Sequence, residues 1–296
     1  MKNQTFGIEI ELTGVTREEA ANTVADYFGT QAQYAGGAYD AYWVRDNTGR
    51  TWKLMSDSSI RAEARTGTAT SAHRVELVSP ICQYEDIETV QEIIRLLRKG
   101  GAKSNSSCGI HIHIGMGQHT PKTLRNLANL VASKEDLIYE ALAIKSSRQG
   151  YCKRADENFI NALNTQKPTT MTDLADLWYA AYTSESRSNH YNSSRYRLLN
   201  FHSIYTIGTI EFRCFNSTVA HAGKIKAYIQ FCLAMSHQAL TQRSASSRKT
   251  ATTNPKYTFR TWLLRLGLIG DEFKTARLHL LANLKGDIAW RNNTAA

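Results

Sequence analysis

The chain is poor in residues that break or cross-link structure. Four prolines and 18 glycines in 296 residues are too few for a collagen-like or low-complexity polypeptide. The cysteines number five, at positions 82, 108, 152, 214 and 232. They are odd in number, widely spread and never spaced C-x-x-C. That argues against a zinc ribbon or disulfide scaffold and for reduced thiols in a cytoplasm. No apolar run approaches the ~20 residues of a transmembrane helix, so no membrane partner is expected. The N-terminus enters a strand after five residues with no apolar run before it, so no signal peptide is expected. Neither a phosphate-binding G-x-x-x-x-G-K-S/T loop nor G-x-G-x-x-G occurs, and a nucleotide would have to be held by other means. No internal repeat is present.

Hydrophobic residues make up 42% of the chain, enough for a sizeable core in one large domain or two small ones. Lys and Arg number 36 against 26 Asp and Glu, a formal net charge of +10. Such an excess points to an anionic partner, either a phosphate-rich cofactor or nucleic acid. The basic residues are scattered rather than gathered into one motif, so nucleic acid is not the expected partner.

The clearest pattern is Phe6-Gly7-Ile8-Glu9-Ile10-Glu11-Leu12. Its strict alternation predicts a strand with four apolar side chains on one face and Glu9 and Glu11 on the other. At about 3.3 Å per residue the two carboxylates stand roughly 6–7 Å apart. Three further stretches repeat the device. Arg74–Pro80 carries Glu76 opposite Val75 and Leu77. Cys108–Gly115 sets His111 and His113 against three isoleucines. Thr209–Phe215 sets Glu211 and Arg213 against Ile210, Phe212 and Cys214.

Between these lie helix signals. Thr16 and Glu19 form a capping box before a helix to Phe28. Asp86–Lys99 is amphipathic and closes at Gly100-Gly101. Thr120-Pro121 opens a helix, and Ser133 with Asp136 predicts the start of another. Helices are also expected over Thr172–Ala181 and Ala222–Gln242, with two helical patterns from Phe259 to Trp290. Thr51–Met55 reads as a strand, and residues 31–42 and 184–194 as mobile segments. Residues 244–256 are polar and basic and read as a linker. The expected division is a catalytic domain over 1–243, the linker over 244–256 and a helical C-terminal extension over 257–296. Strands and helices without regular β-α-β alternation predict an α+β fold with an antiparallel sheet, helices under its apolar face and a polar face flooring a cleft.

That face would carry Glu9, Glu11, Glu76, His111, His113, Glu211 and Arg213. Four carboxylates gathered closely need cations to neutralise them. Carboxylate-rich sets with imidazole and no thiolate suit magnesium or manganese, and magnesium commonly bridges to substrate phosphates. The spacing leaves two chemistries open: phosphoryl transfer from a magnesium-nucleotide, and zinc hydrolysis with His-x-His and a carboxylate as ligands. Arg213 could hold a phosphate or a developing negative charge. Cys108 is expected to be a buried structural thiol rather than a nucleophile.

Taken in order, FGIEIEL, the DSS at residues 57–59, RVELVSP, SSCGIHIHIG, SRQGY, RYRLLNFHS and TIEFRCFNST resemble the putative amidoligase family. Its members are carboxylate–amine ligases related to glutamine synthetase and glutamate–cysteine ligase. The resemblance covers most of residues 6–235. It implies a curved antiparallel sheet of the glutamine synthetase/glutamate–cysteine ligase type, whose concave face binds ATP with magnesium or manganese. It also implies a reaction: ATP phosphorylates a carboxylate, and an amine displaces the phosphate to form an amide or isopeptide bond.

By this similarity Glu9, Glu11, Glu76, Glu211 and one or both of His111 and His113 are cation ligands. Arg213 faces phosphate. Asp57 binds and deprotonates the amine, although Ser58 replaces a glycine of the related motif. Arg195 binds phosphate or a substrate carboxylate. The expected substrates are small-molecule or peptide carboxylates and amines. A phosphotransferase on the same kind of sheet, a zinc-dependent hydrolase and a non-enzymatic nucleic-acid-binding protein are the alternatives.

Overall fold

A computed structural model of the chain describes residues 1–289. Trp290 and the remainder of the expected extension to residue 296 lie outside the described residues. The fold is α+β, with an open eight-stranded antiparallel sheet in the order β2-β3-β4-β5-β1-β6-β8-β7. Its contacts group into two compact units, residues 2–112 with 215–229, and residues 113–214 with 230 onward.

In the first unit, β1 (Phe6–Leu12) buries Phe6, Ile8, Ile10 and Leu12 as their alternation requires. The chain then enters α1 (Arg17–Phe28), capped reciprocally by Thr16 and Glu19 and closed by Gly29 in the left-handed region. The glycine- and tyrosine-rich stretch expected to be mobile is instead a hairpin, β2 (Ala32–Gly36) and β3 (Ala41–Arg45). Gly36 and Gly37 both take positive φ at its turn, which a side-chain-bearing residue resists.

Next come β4 (Thr51–Met55), β5 (Val75–Val78) and α2 (Asp86–Lys99). The Arg50 guanidinium forks onto Asp86 at 2.8 and 2.9 Å, tying β4 to the start of α2. Helix α1 packs on β2, β3, β4 and α2. Strand β5 pairs with β1 so that Glu76 stands directly opposite Glu11. Strand β6 (Gly109–Gly115) begins in this unit.

The second unit is built on α3 (Pro121–Leu142). It is one 22-residue helix where two were expected, because the capping signal at Ser133 loses to burial. The Ser133 hydroxyl donates within the helix to the Leu130 carbonyl, at 2.9 Å. Helices α4 (Glu157–Gln166), α5 (Met171–Tyr179) and α6 (His202–Ile207) follow, with the two-residue strand β7 (Leu199–Asn200) and then β8 (Thr209–Asn216). Helix α7 (Ala222–Thr241) matches its sequence signal.

Residues beyond it run along α3. Asn126 donates to the Gln242 carbonyl, Asn129 to the Ala245 carbonyl, and the Thr250 N–H to the Ser133 carbonyl. Helices α8 (Pro255–Arg265) and α9 (Lys274–Leu281) pack on each other, and α9 on α3. No described helix is long and apolar enough to cross a membrane.

Candidate active site

Five of the sequence-predicted residues come together in the first unit. Glu9 and Glu11 project from β1 and Glu76 from β5, while His111 comes from β6 and Asp57 from the turn after β4. Ligand atoms of Glu9, Glu76 and His111 lie within 4.8 Å of one another, and so do those of Glu11, Asp57 and Glu76. Glu76 belongs to both groups.

Neighbouring dipoles fix the geometry. Glu11 is buried, and its Oε2 accepts the Gly109 backbone N–H at 2.6 Å. The His111 ring is buried too, with Nδ1 2.9 Å from Glu9 Oε2. Its Nε2 lies 3.9 Å from Glu11 Oε1, so the ring stands between two carboxylates. Asp57 is held by its own turn, Oδ1 accepting the Ser59 N–H at 2.7 Å. The set can hold hard cations: it is rich in oxygen, contains imidazole and includes no thiolate.

His113, Glu211 and Arg213 belong to the second unit, all three buried. His113 repeats the arrangement of His111. Its Nδ1 meets the Thr209 hydroxyl at 2.9 Å, and its Nε2 lies 3.9 Å from Glu211 Oε1. Arg213 Nη1 donates to Glu211 Oε1 in a buried ion pair, not the exposed neighbour pair that two residues on one strand could have made. Asn200 Nδ2 donates to Glu211 Oε2 at 2.6 Å.

The Arg213 guanidinium lies 5.9 Å from the Tyr196 ring centroid, and Arg148 donates to the Arg213 carbonyl. Arg195 is half-exposed. It donates to the His190 carbonyl and sits 5.6 Å from the Tyr191 ring and 5.9 Å from the Tyr196 ring. Nearby, burial pushes the His202 imidazole below its ordinary pKa, and its Nδ1 lies 2.6 Å from the Tyr179 hydroxyl.

Residues 2–236 match the model of the family described as "Putative amidoligase enzyme". The chain belongs to the putative amidoligase family. Membership points to a ligase that draws on ATP. No curated protein matches this amidoligase chain.

Two amidoligase residues escaped the sequence reading. Asn200 closes the R-Y-R-L-L-N stretch singled out for Arg195, yet its contact with Glu211 depends on the short β7–β8 pairing, Asn200 opposite Glu211. Thr209, which orients His113, begins β8, and nothing in its local pattern marks it. All five cysteines are buried and none forms a disulfide, and Cys108 joins neither ligand group.

Proposed function

We propose that the chain is an ATP- and magnesium-dependent ligase that joins a carboxylate to an amine through an acyl-phosphate intermediate. The observation that carries this reading is the paired ligand groups sharing Glu76, in a chain of amidoligase sequence. Carboxylate oxygens predominate, which favours magnesium or manganese over the softer, thiolate-accepting zinc. We take the sheet to be of the glutamine synthetase/glutamate–cysteine ligase type, with helices on its apolar side.

Bound magnesium-ATP would supply the phosphoryl group and neutralise the carboxylates. The residues of the chain have distinct tasks. Glu9, Glu76 and His111 form one candidate ligand set, with Glu11, Asp57 and Glu76 as a second. Glu211 and His113 offer further donors. Arg213 both holds Glu211 and presents a planar guanidinium for charge that develops on the transferring phosphoryl group. Arg195 is the second candidate for phosphate or a substrate carboxylate. Asp57 is rigidly turned, suited to orienting an amine and taking its proton. Its place beside Glu11 and Glu76 also lets it ligate a cation.

An acyl phosphate is open to water as well as to an amine, so the amine must be in place before the phosphate leaves. The test is phosphate release from ATP with pools of amino acids and peptides. A ligase requires both an acid and an amine. Release that needs the acid alone and leaves a stable phosphorylated product would identify a phosphotransferase.

A further inference from the structure

A cleft of about 1130 Å³ opens in the second unit, and none of the residues discussed above as catalytic lines it. Its walls are α3, the end of α7, the segment from Ala245 to Thr253, and α8. The last two lie beyond residue 236, outside the stretch that matches the family. The lining is one-sided in charge. Lys134, Arg248 and Arg265 face it, and among its lining residues there is no carboxylate.

Lys134 is bound by a neutral group, its ammonium donating to the Thr250 hydroxyl at 2.6 Å. Burial lowers its pKa, and the nearby Arg265 charge lowers it further. The cleft also gathers buried polar groups with unmet hydrogen-bonding capacity. Gln238 Oε1, Gln242 Nε2 and the Trp262 indole N–H have no partner, and all three residues line it. In a folded protein such groups cluster where a ligand or ordered water belongs.

We infer that this cleft binds a small polyanion, a molecule carrying two or more phosphate or carboxylate groups. Three cations supply the charge complement, and the Thr250 hydroxyl with one of the mutually bonded Thr252 and Thr258 hydroxyls can donate to its oxygens. The volume lies slightly above the ~300–1,000 Å³ usual for small-molecule sites, leaving room for a small ligand with ordered water. The carboxylate cluster around Glu76 would repel the same molecule unless cations were present. Binding at the cleft requires none, so the two sites separate experimentally.

The experiment is calorimetric titration of full-length protein, stripped of metal on a chelating resin, with tripolyphosphate and with citrate. The Trp262 indole ¹H–¹⁵N resonance, assigned through Trp262→Phe, is followed in parallel. The expected result is one site for at least one of the two anions and a shift of the Trp262 resonance. The anion that binds tells phosphate chemistry from carboxylate chemistry. Arg248→Gln/Arg265→Gln alters two exposed side chains and should fold normally. It should weaken binding at least about tenfold, the loss expected for two screened ion pairs. Lys134→Gln should weaken it too. The inference is overturned if neither anion binds, if the folded double variant binds as tightly as the parent, or if the Trp262 resonance stays still. Binding of a single-stranded oligonucleotide with neither small anion bound would overturn it as well.

Discussion

Glu76→Gln should have two opposite effects. Glu76 is shared by both ligand groups, so the substitution removes one negative charge from each while keeping the shape. Carboxylate oxygens within 4.8 Å of one another repel by roughly 3 kcal/mol per pair at an effective dielectric constant of about 20. Glu76, Glu9 and Asp57 are half-buried, and solvent screening lowers the net relief to about 1–2 kcal/mol. In metal-free buffer the variant should therefore be more stable than the parent, melting roughly 2–5 °C higher.

Magnesium should reverse the order. A cation at ten times its dissociation constant stabilises the native parent by about 1.4 kcal/mol through mass action. The variant, short of a ligand in both groups, should gain little. Paired thermal melts of parent and variant, with and without magnesium or manganese, read both effects. A variant that melts lower in metal-free buffer and responds to magnesium like the parent would refute the reasoning.

Arg213→Lys keeps the charge beside Glu211 but loses the planar fork. Turnover should fall by ~100-fold, more than nucleotide affinity falls, in a protein that still folds; near-parental turnover would remove Arg213 from phosphoryl transfer. Asp57→Asn should spare ATP binding and slow amide formation, which a comparison of nucleotide titration with product formation measures. His119, buried between the Thr123 and Ser236 hydroxyls, has its pKa lowered by burial from 6.5 to about 4. The unfolded chain takes up that proton first, so stability is fully present above about pH 6.5 and declines as pH falls towards 4, by about 3 kcal/mol. Denaturant titrations across that range should show a shallower slope for His119→Gln. The five buried thiols should react with a thiol reagent only on unfolding, and rapid labelling of the native protein would contradict their burial.

The strands that carry the candidate site were legible because a period of two is a strong local signal. In β1, β6 and β8 apolar residues alternate with Glu, His or Arg, and the structure buries the apolar set. The α1 capping box and the Thr120-Pro121 start of α3 were legible for a similar reason, since caps are chemistry within four residues. The β2–β3 hairpin was missed because Gly36-Gly37 and the surrounding tyrosines read as a loop, although those glycines are what the turn requires. Ser133 and Asp136 imitate a helix start, and only the burial of α3 overrides them. Strand β7 is two residues long and exists through its pairing with β8.

The same division runs through the site. Residue types and faces could be read from sequence. The sharing of Glu76 between two ligand groups, the Asp57 carboxylate beside Glu11, and the Asn200 amide on Glu211 depend on strand register and turns. These are contacts between residues far apart in the chain, and no local pattern encodes them.

The most direct test of the central claim follows the oxygen atoms. Protein, ATP and magnesium are incubated with amino acids and peptides whose carboxylates carry ¹⁸O, and products and phosphate are analysed by mass spectrometry. Passage through an acyl phosphate predicts one ¹⁸O transferred to phosphate for each amide formed, with a product lighter than acid plus amine by one labelled water. Amide formation with unlabelled phosphate, or phosphate release with no condensed product, would contradict it.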